Sequence, residues 1–120
     1  MNLNQIALPT VSVPASAAFY RSLGFTAIVD TPQYARFKAT EGNTTFSLIQ
    51  ADVANPGGVT IYFEVRNLEE QVARLRAVGI DFTEEVKLQP WLWKEARLKD
   101  PSGNNLCLFW AGEQRLAPNA

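Results

Sequence analysis

Two short apolar runs, Leu3 to Leu8 and Val59 to Val65, have the length and β-branched content of strands. Behind each lies a segment with helical spacing, Ala15/Phe19/Leu23 in the first case and Leu68/Val72/Leu75 in the second, so one face of each helix is apolar. The boundaries agree with this reading. Pro14 suits a first helical turn behind Ser12 or Val13, and Asn67 with Glu70 has capping-box spacing, while Gly24 and Gly79 stand where a left-handed residue ends a helix. Three strand-length stretches follow each helix: about Thr26 to Val29, Ala35 to Ala39 and Thr45 to Ile49, then Asp81 to Thr83, Trp93 to Lys99 and Leu106 to Trp110. Turn-forming residues, Glu41-Gly42-Asn43 and Asp100-Pro101-Ser102-Gly103-Asn104, separate the last two strands of each set. Each half therefore reads βαβββ.

The halves are also copies of one another. At an offset of 55, Ile6 meets Ile61, Ala18 meets Ala73 and Gly24 meets Gly79. At an offset of 61, Ala35-Arg36-Phe37-Lys38 with Gly42-Asn43 meets Ala96-Arg97-Leu98-Lys99 with Gly103-Asn104. The change of offset implies an insertion in the second copy, around Glu84 to Trp93. The expected organisation is one domain over 1–120, with module 1 at about 1–50, a linker at 51–58, module 2 at about 59–111 and a polar, frayed tail at 112–120.

Alternation then sorts each strand into a helix-facing and an open row. Ile61, Phe63 and Val65 face the helix, leaving Thr60, Tyr62 and Glu64 open; Ala96 and Leu98 face the helix, leaving Trp93, Glu95 and Arg97 open. In the first copy Arg36 and Lys38 lie opposite Ala35 and Phe37. Trp91 and Trp93 are read as pointing to opposite faces, so that at most one of them lines the open side.

Composition narrows the chemistry. Eleven basic and 12 acidic side chains leave a net charge of −1, without the basic excess that nucleic acid or an anionic bilayer requires. A single cysteine allows no internal disulfide, and the chain has no long apolar run or signal-like leader, so a cytoplasmic protein is expected. There is no histidine. Imidazole is the usual base near neutral pH and a common metal ligand, so triad hydrolysis and histidine-ligated metals are excluded.

The segments Ala17-Ala18-Phe19-Tyr20-Arg21-Ser22-Leu23-Gly24-Phe25, Gln89-Pro90-Trp91 and Asp100-Pro101-Ser102-Gly103-Asn104, on a duplicated βαβββ frame, resemble the vicinal oxygen chelate superfamily of glyoxalases, extradiol dioxygenases and bleomycin-resistance proteins. The resemblance covers nearly the whole chain. It implies an α+β fold in which two tandem βαβββ modules curl their mixed sheets into a cup, with the helices outside. It further implies metal ligands at four related positions, which map onto Gln5, Thr60, Phe46 and Cys107. None of these is His or Glu, and neutral amides, hydroxyls and a phenyl ring make a poor ligand set. No metal and no cofactor are expected. The resemblance is therefore greatest to the metal-free, bleomycin-resistance-like members.

The first functional reading is a small-molecule binding protein that sequesters an antibiotic or metabolite. Tyr62, Trp93 and Phe46 would stack on the ligand, Arg36 or Arg97 would anchor an acidic or carbonyl group, and Gln5, Thr60 and Cys107 would line the site. The second is a metal-independent lyase or isomerase with Glu64 or Glu95 as base. The third is a non-catalytic partner domain whose cup is filled by its own side chains. A homodimer is expected, because short strands leave open sheet edges.

Overall fold

The computed structural model describes residues 1–54 and 58–117. Its elements run β1 (Gln5–Thr10), α1 (Val13–Ser22), β2 (Thr26–Asp30), β3 (Tyr34–Lys38), β4 (Thr45–Gln50), β5 (Thr60–Glu64), α2 (Leu68–Ala77), β6 (Glu84–Leu88), β7 (Lys94–Lys99) and β8 (Asn105–Trp110), followed by a 3₁₀ helix at Gly112–Leu116. The βαβββ order is present twice. The segment expected to be a frayed tail thus carries a 3₁₀ turn, and its last residues, 118–120, lie outside the described residues, as do 55–57 of the expected linker.

Local chemistry explains the helices. Ser12 caps α1, its hydroxyl accepting from the Ala15 amide at 3.3 Å, and Pro14 occupies the first turn, where an amide hydrogen would have no helical partner. Gly24 and Gly79 follow the helix ends at φ of 106° and 95°, a region that costs a side-chain-bearing residue steric strain. Asn67 behaves differently from the expected box: its side chain caps no amide and instead donates to Glu70 Oε2 at 3.2 Å.

The fold nevertheless departs from expectation in its shape. Each module forms its own four-stranded sheet, ordered β1-β4-β3-β2 and β5-β8-β7-β6, and neither is curled or closed into a cup. Closure requires the outer strands to find partners, and barrels that close around a filled interior take about eight strands. Here β1 pairs with β4 and β2 with β3, leaving four strands as an open sheet, and β5 and β6 bound the second sheet likewise. Both sheets are mixed, the first pair of each order being parallel and the others antiparallel.

The chain divides into two compact units, the first taking in Asp100–Asn104 along with module 1. In this unit Tyr20 on α1 packs against Phe25, Phe37 and Phe46, with Phe37 and Phe46 stacked at 5.4 Å. The Tyr20 hydroxyl donates to Asp100 Oδ2 at 2.7 Å. Asp100 Oδ1 accepts from the Ser102 and Asn104 amides, Asn104 Nδ2 donates to both Asp100 Oδ2 and the Pro9 carbonyl, and Ser102 Oγ is hydrogen-bonded to Thr10 Oγ1. Burial foremost, and then the Asp100 charge, push the Tyr20 phenol well above its ordinary value, so it remains a donor. The second unit has its core along Ile61, Leu98 and Leu106, with Leu68, Val72 and Leu75 of α2 buried.

The insertion is also distributed differently. Edge strand β6 occupies Glu84–Leu88, inside the expected insertion, and the extra residues fall partly before it and partly in the turn to β7. Asp81 to Thr83, expected as a strand, precedes it.

Candidate functional site

On the open face of the second sheet, register places Tyr62 beside Cys107, and Cys107 beside Arg97. Arg97 is itself paired across β6 with Glu84. Glu95, Arg97 and Tyr62 therefore share one face, as alternation indicated. Trp93 joins them by stacking on Phe109 at 4.7 Å, and Tyr62 meets Trp93 edge-on at 6.2 Å. Trp93 Nε1 donates to the Gln114 carbonyl of the 3₁₀ helix at 3.3 Å, which fixes the indole plane. Glu64 is exposed at the end of β5, and Thr60 is half-buried at its start.

Charge on this face is compensated internally. Glu95 is only 2% exposed, and its oxygens accept from Arg97 Nη2 at 2.9 Å and from Trp91 Nε1 at 2.8 Å. Arg97 also reaches Tyr62 Oη at 3.2 Å, has Glu84 at 3.5 Å and lies over the Tyr62 ring. The hydrogen bonds to Tyr62 and Glu95 hold the guanidinium firmly charged. Glu95 is thus occupied in holding Arg97 and Trp91.

The presence of Trp91 in this cluster corrects the expectation that at most one of the two tryptophans lines the open side; alternation places residues two apart on the same face of a strand, not on opposite faces. Gln89 to Trp93 is a turn, closed by the Leu92 amide on the Gln89 carbonyl at 2.9 Å, and Leu92 has a φ of 70°. The Gln-Pro-Trp motif was the available signal.

On the open face of the first sheet, Ser47 pairs with Arg36 on one side and with Ala7 on the other. Ser47 Oγ accepts from Gln5 Nε2 at 2.6 Å and shares a hydrogen bond with the Tyr34 hydroxyl at 2.7 Å. Arg36 Nε donates to Tyr34 Oη at 3.0 Å. The bonds to Ser47 and Arg36 hold the Tyr34 phenol below its ordinary value. Gln5 Oε1 also accepts from the Thr45 hydroxyl.

Phe46 is not on this face. It is 4% exposed and packs on the helix side among Tyr20, Phe25 and Phe37. The offset of 61 holds for the turns and for Arg36 with Arg97, but the pairings Arg36–Ser47 and Arg97–Cys107 show that Cys107 corresponds to Ser47. One residue fewer separates Gly103 from β8 than separates Gly42 from β4, and a shift of one residue moves a side chain to the other face. Ser47 and Tyr34 are the site residues that the sequence reading missed.

A metal ion does not fit these positions. Gln5 is engaged with Ser47 and Thr45, Phe46 carries no donor, and Thr60 offers a neutral hydroxyl. Burial pushes the Cys107 thiol up to about 12, and the charge of Glu95 adds to this, so it is not a thiolate at neutral pH. Among the described residues, no group of His, Cys, Asp and Glu is placed to hold a metal ion. The same environment makes Cys107 unreactive. In a thiol-reagent assay at neutral pH, native protein should label at least tenfold more slowly than protein unfolded in urea; equal rates would show that the sulfur is accessible.

A family model described as the Glyoxalase/Bleomycin resistance protein/Dioxygenase superfamily matches residues 2–108. Among solved structures, a bleomycin-binding protein complexed with bleomycin is similar over 92% of this chain and 98% of its own, at 22% identity and a TM-score of 0.75. A bleomycin resistance determinant encoded on the transposon Tn5 is similar over 92% and 98%, at 22% identity and a TM-score of 0.76. Lactoylglutathione lyase from Agrobacterium tumefaciens is similar over 91% and 92%, at 23% identity and a TM-score of 0.74. At such identities the likeness is one of fold. No curated protein matches the chain. No helix among the described residues is long and apolar enough to cross a membrane.

Proposed function

We propose, from the premise that the chain belongs to the Glyoxalase/Bleomycin resistance protein/Dioxygenase superfamily, that it binds a small planar molecule without a metal and holds it unreacted. The observation that carries this reading is the aromatic corner on the second sheet, where Tyr62 is exposed and set edge-on to a Trp93 that stacks on Phe109. An aromatic surface beside a few oriented polar groups is the usual makeup of a small-molecule site. The lyase or isomerase alternative gains no support from Glu95, which is engaged by Arg97 and Trp91. Antibiotic sequestration, a homodimeric assembly and a cytoplasmic location belong to the same proposal.

Native mass spectrometry of the protein from its own host, together with calorimetry against bleomycin and a panel of planar aromatic compounds, tests the reading. At least one compound should bind, and Trp93→Ala should weaken it by about threefold to tenfold, the worth of one aromatic contact. A chain that retains nothing and binds no panel member, or binding unaffected by Trp93→Ala, overturns it.

A further inference from the structure

Arg36 and Arg97 hold matching places on the third strand of their modules, yet their electrostatic settings are opposite. Around Arg97 the protein supplies Glu95 and Glu84. Two residues before Arg36 stands Tyr34 where Arg97 has Glu95, and its cross-strand neighbour on β2 is Val29 where Arg97 has Glu84. No carboxylate among the described residues lies at ion-pair distance from Arg36. Its Nε is occupied by the Tyr34 hydroxyl and its Cζ lies 5.6 Å from the centroid of that ring, so Tyr34 orients the side chain. Among the described residues, its Nη atoms meet no protein acceptor.

The surrounding strand positions reinforce the asymmetry. The open row of the first sheet, which runs from Gln5 and Ala7 through Ser47 to Arg36 and Lys38 and on to Val29, carries two cations and no acid. Asp30 of the same unit is paired with Arg21, and Asp100 is buried in the Tyr20 network. A guanidinium whose Nε is anchored and whose Nη edge is unfilled is preorganised for a bidentate oxyanion, because little side-chain entropy remains to be lost on binding.

We propose that the open face of the first sheet is by itself an oxyanion site, in which the Arg36 Nη atoms take the carboxylate or phosphate group of a small molecule, with Tyr34 and Ser47 orienting the guanidinium and Lys38 adding charge. This goes beyond the small-molecule reading of the second sheet and adds an anion site that the first unit holds alone. It also assigns the anchoring role to Arg36 and leaves Arg97 a structural one.

Titration of the isotopically labelled full chain with benzoate, inorganic phosphate and neutral benzamide, at matched ionic strength, tests it through the arginine Nε–H resonances. Benzoate or phosphate should shift the Arg36 signal and benzamide should not, the two anions separating a carboxylate from a phosphate site. Arg36→Gln should keep the fold and weaken the preferred anion by about tenfold to a hundredfold, the range for a charged hydrogen bond, and Lys38→Gln should weaken it less. Silence of Arg36 toward both anions, an equal response to benzamide, or a response confined to Arg97 overturns the proposal. The wider reading fails separately: if aromatic compounds still bind with dependence on Trp93 while Arg36 is silent, only the oxyanion site is lost.

Discussion

Asp100→Ala is expected to cost about 3–5 kcal/mol, the loss found when one member of a buried charged pair or network is deleted. Asp100 is 5% exposed and receives four hydrogen bonds, from the Tyr20 hydroxyl, the Ser102 and Asn104 amides and Asn104 Nδ2. Truncation removes the acceptor of all four bonds where water does not readily replace it; Asn104 Nδ2 keeps the Pro9 carbonyl, and each donor left as a buried orphan costs about 1–3 kcal/mol unless the turn opens to solvent. Against a total stability of about 5–15 kcal/mol for a domain of this kind, that is a large fraction. Urea denaturation measures it directly. Tyr20→Phe removes one donor and leaves three, so its cost should be smaller, about 1–2 kcal/mol. An Asp100→Ala protein within 1 kcal/mol of wild type would mean that the turn is not locked to the helix through this carboxylate.

The same network marks where sequence reasoning stops. Asp100-Pro101-Ser102-Gly103-Asn104 is recognisable as a turn from residue types alone, but that its Asp, Ser and Asn are buried against Tyr20, Thr10 and Pro9 is a tertiary fact. The modules, by contrast, are written locally. Strand alternation separates Ile61 from Tyr62 and Ala96 from Arg97, and Gly24 and Gly79 mark the helix ends at positive φ. Strand β6 escapes because Glu84-Glu85-Val86-Lys87-Leu88 is a largely exposed edge with an irregularity between Glu84 and Lys87, so its polar pattern resembles a loop. Ser47 escapes because a one-residue difference between the two turns is invisible until hydrogen-bond register is known. Sheet closure escapes for a similar reason. Whether an outer strand finds another partner depends on long-range geometry, and no local pattern in β1, β2, β5 or β6 records it.

Arg97→Ala should destabilise the protein by about 2–4 kcal/mol, somewhat below the range for a fully buried pair because the arginine side chain is 30% exposed. The cost arises at Glu95. This carboxylate, 2% exposed, would lose its one charged donor with Arg97 Nη2 and keep neutral ones, the Trp91 indole and the Cys107 thiol. The cause is separable by a double-mutant cycle. Glu95→Leu alone leaves Arg97 with Glu84 and a solvent path and should cost less, and adding it to Arg97→Ala should recover at least about 1 kcal/mol, because the stranded charge no longer exists. Simple additivity would show that Glu95 draws its compensation from elsewhere. The cycle also separates the two arginines in function. Arg97→Ala should lower stability while leaving benzoate affinity within about twofold, whereas Arg36→Gln should do the reverse, since a surface guanidinium without an internal carboxylate contributes only a few tenths of a kcal/mol to folding. Two homologous side chains at one position of a repeated strand would then have divided structure and recognition between them, according to whether a glutamate or a tyrosine stands two residues earlier.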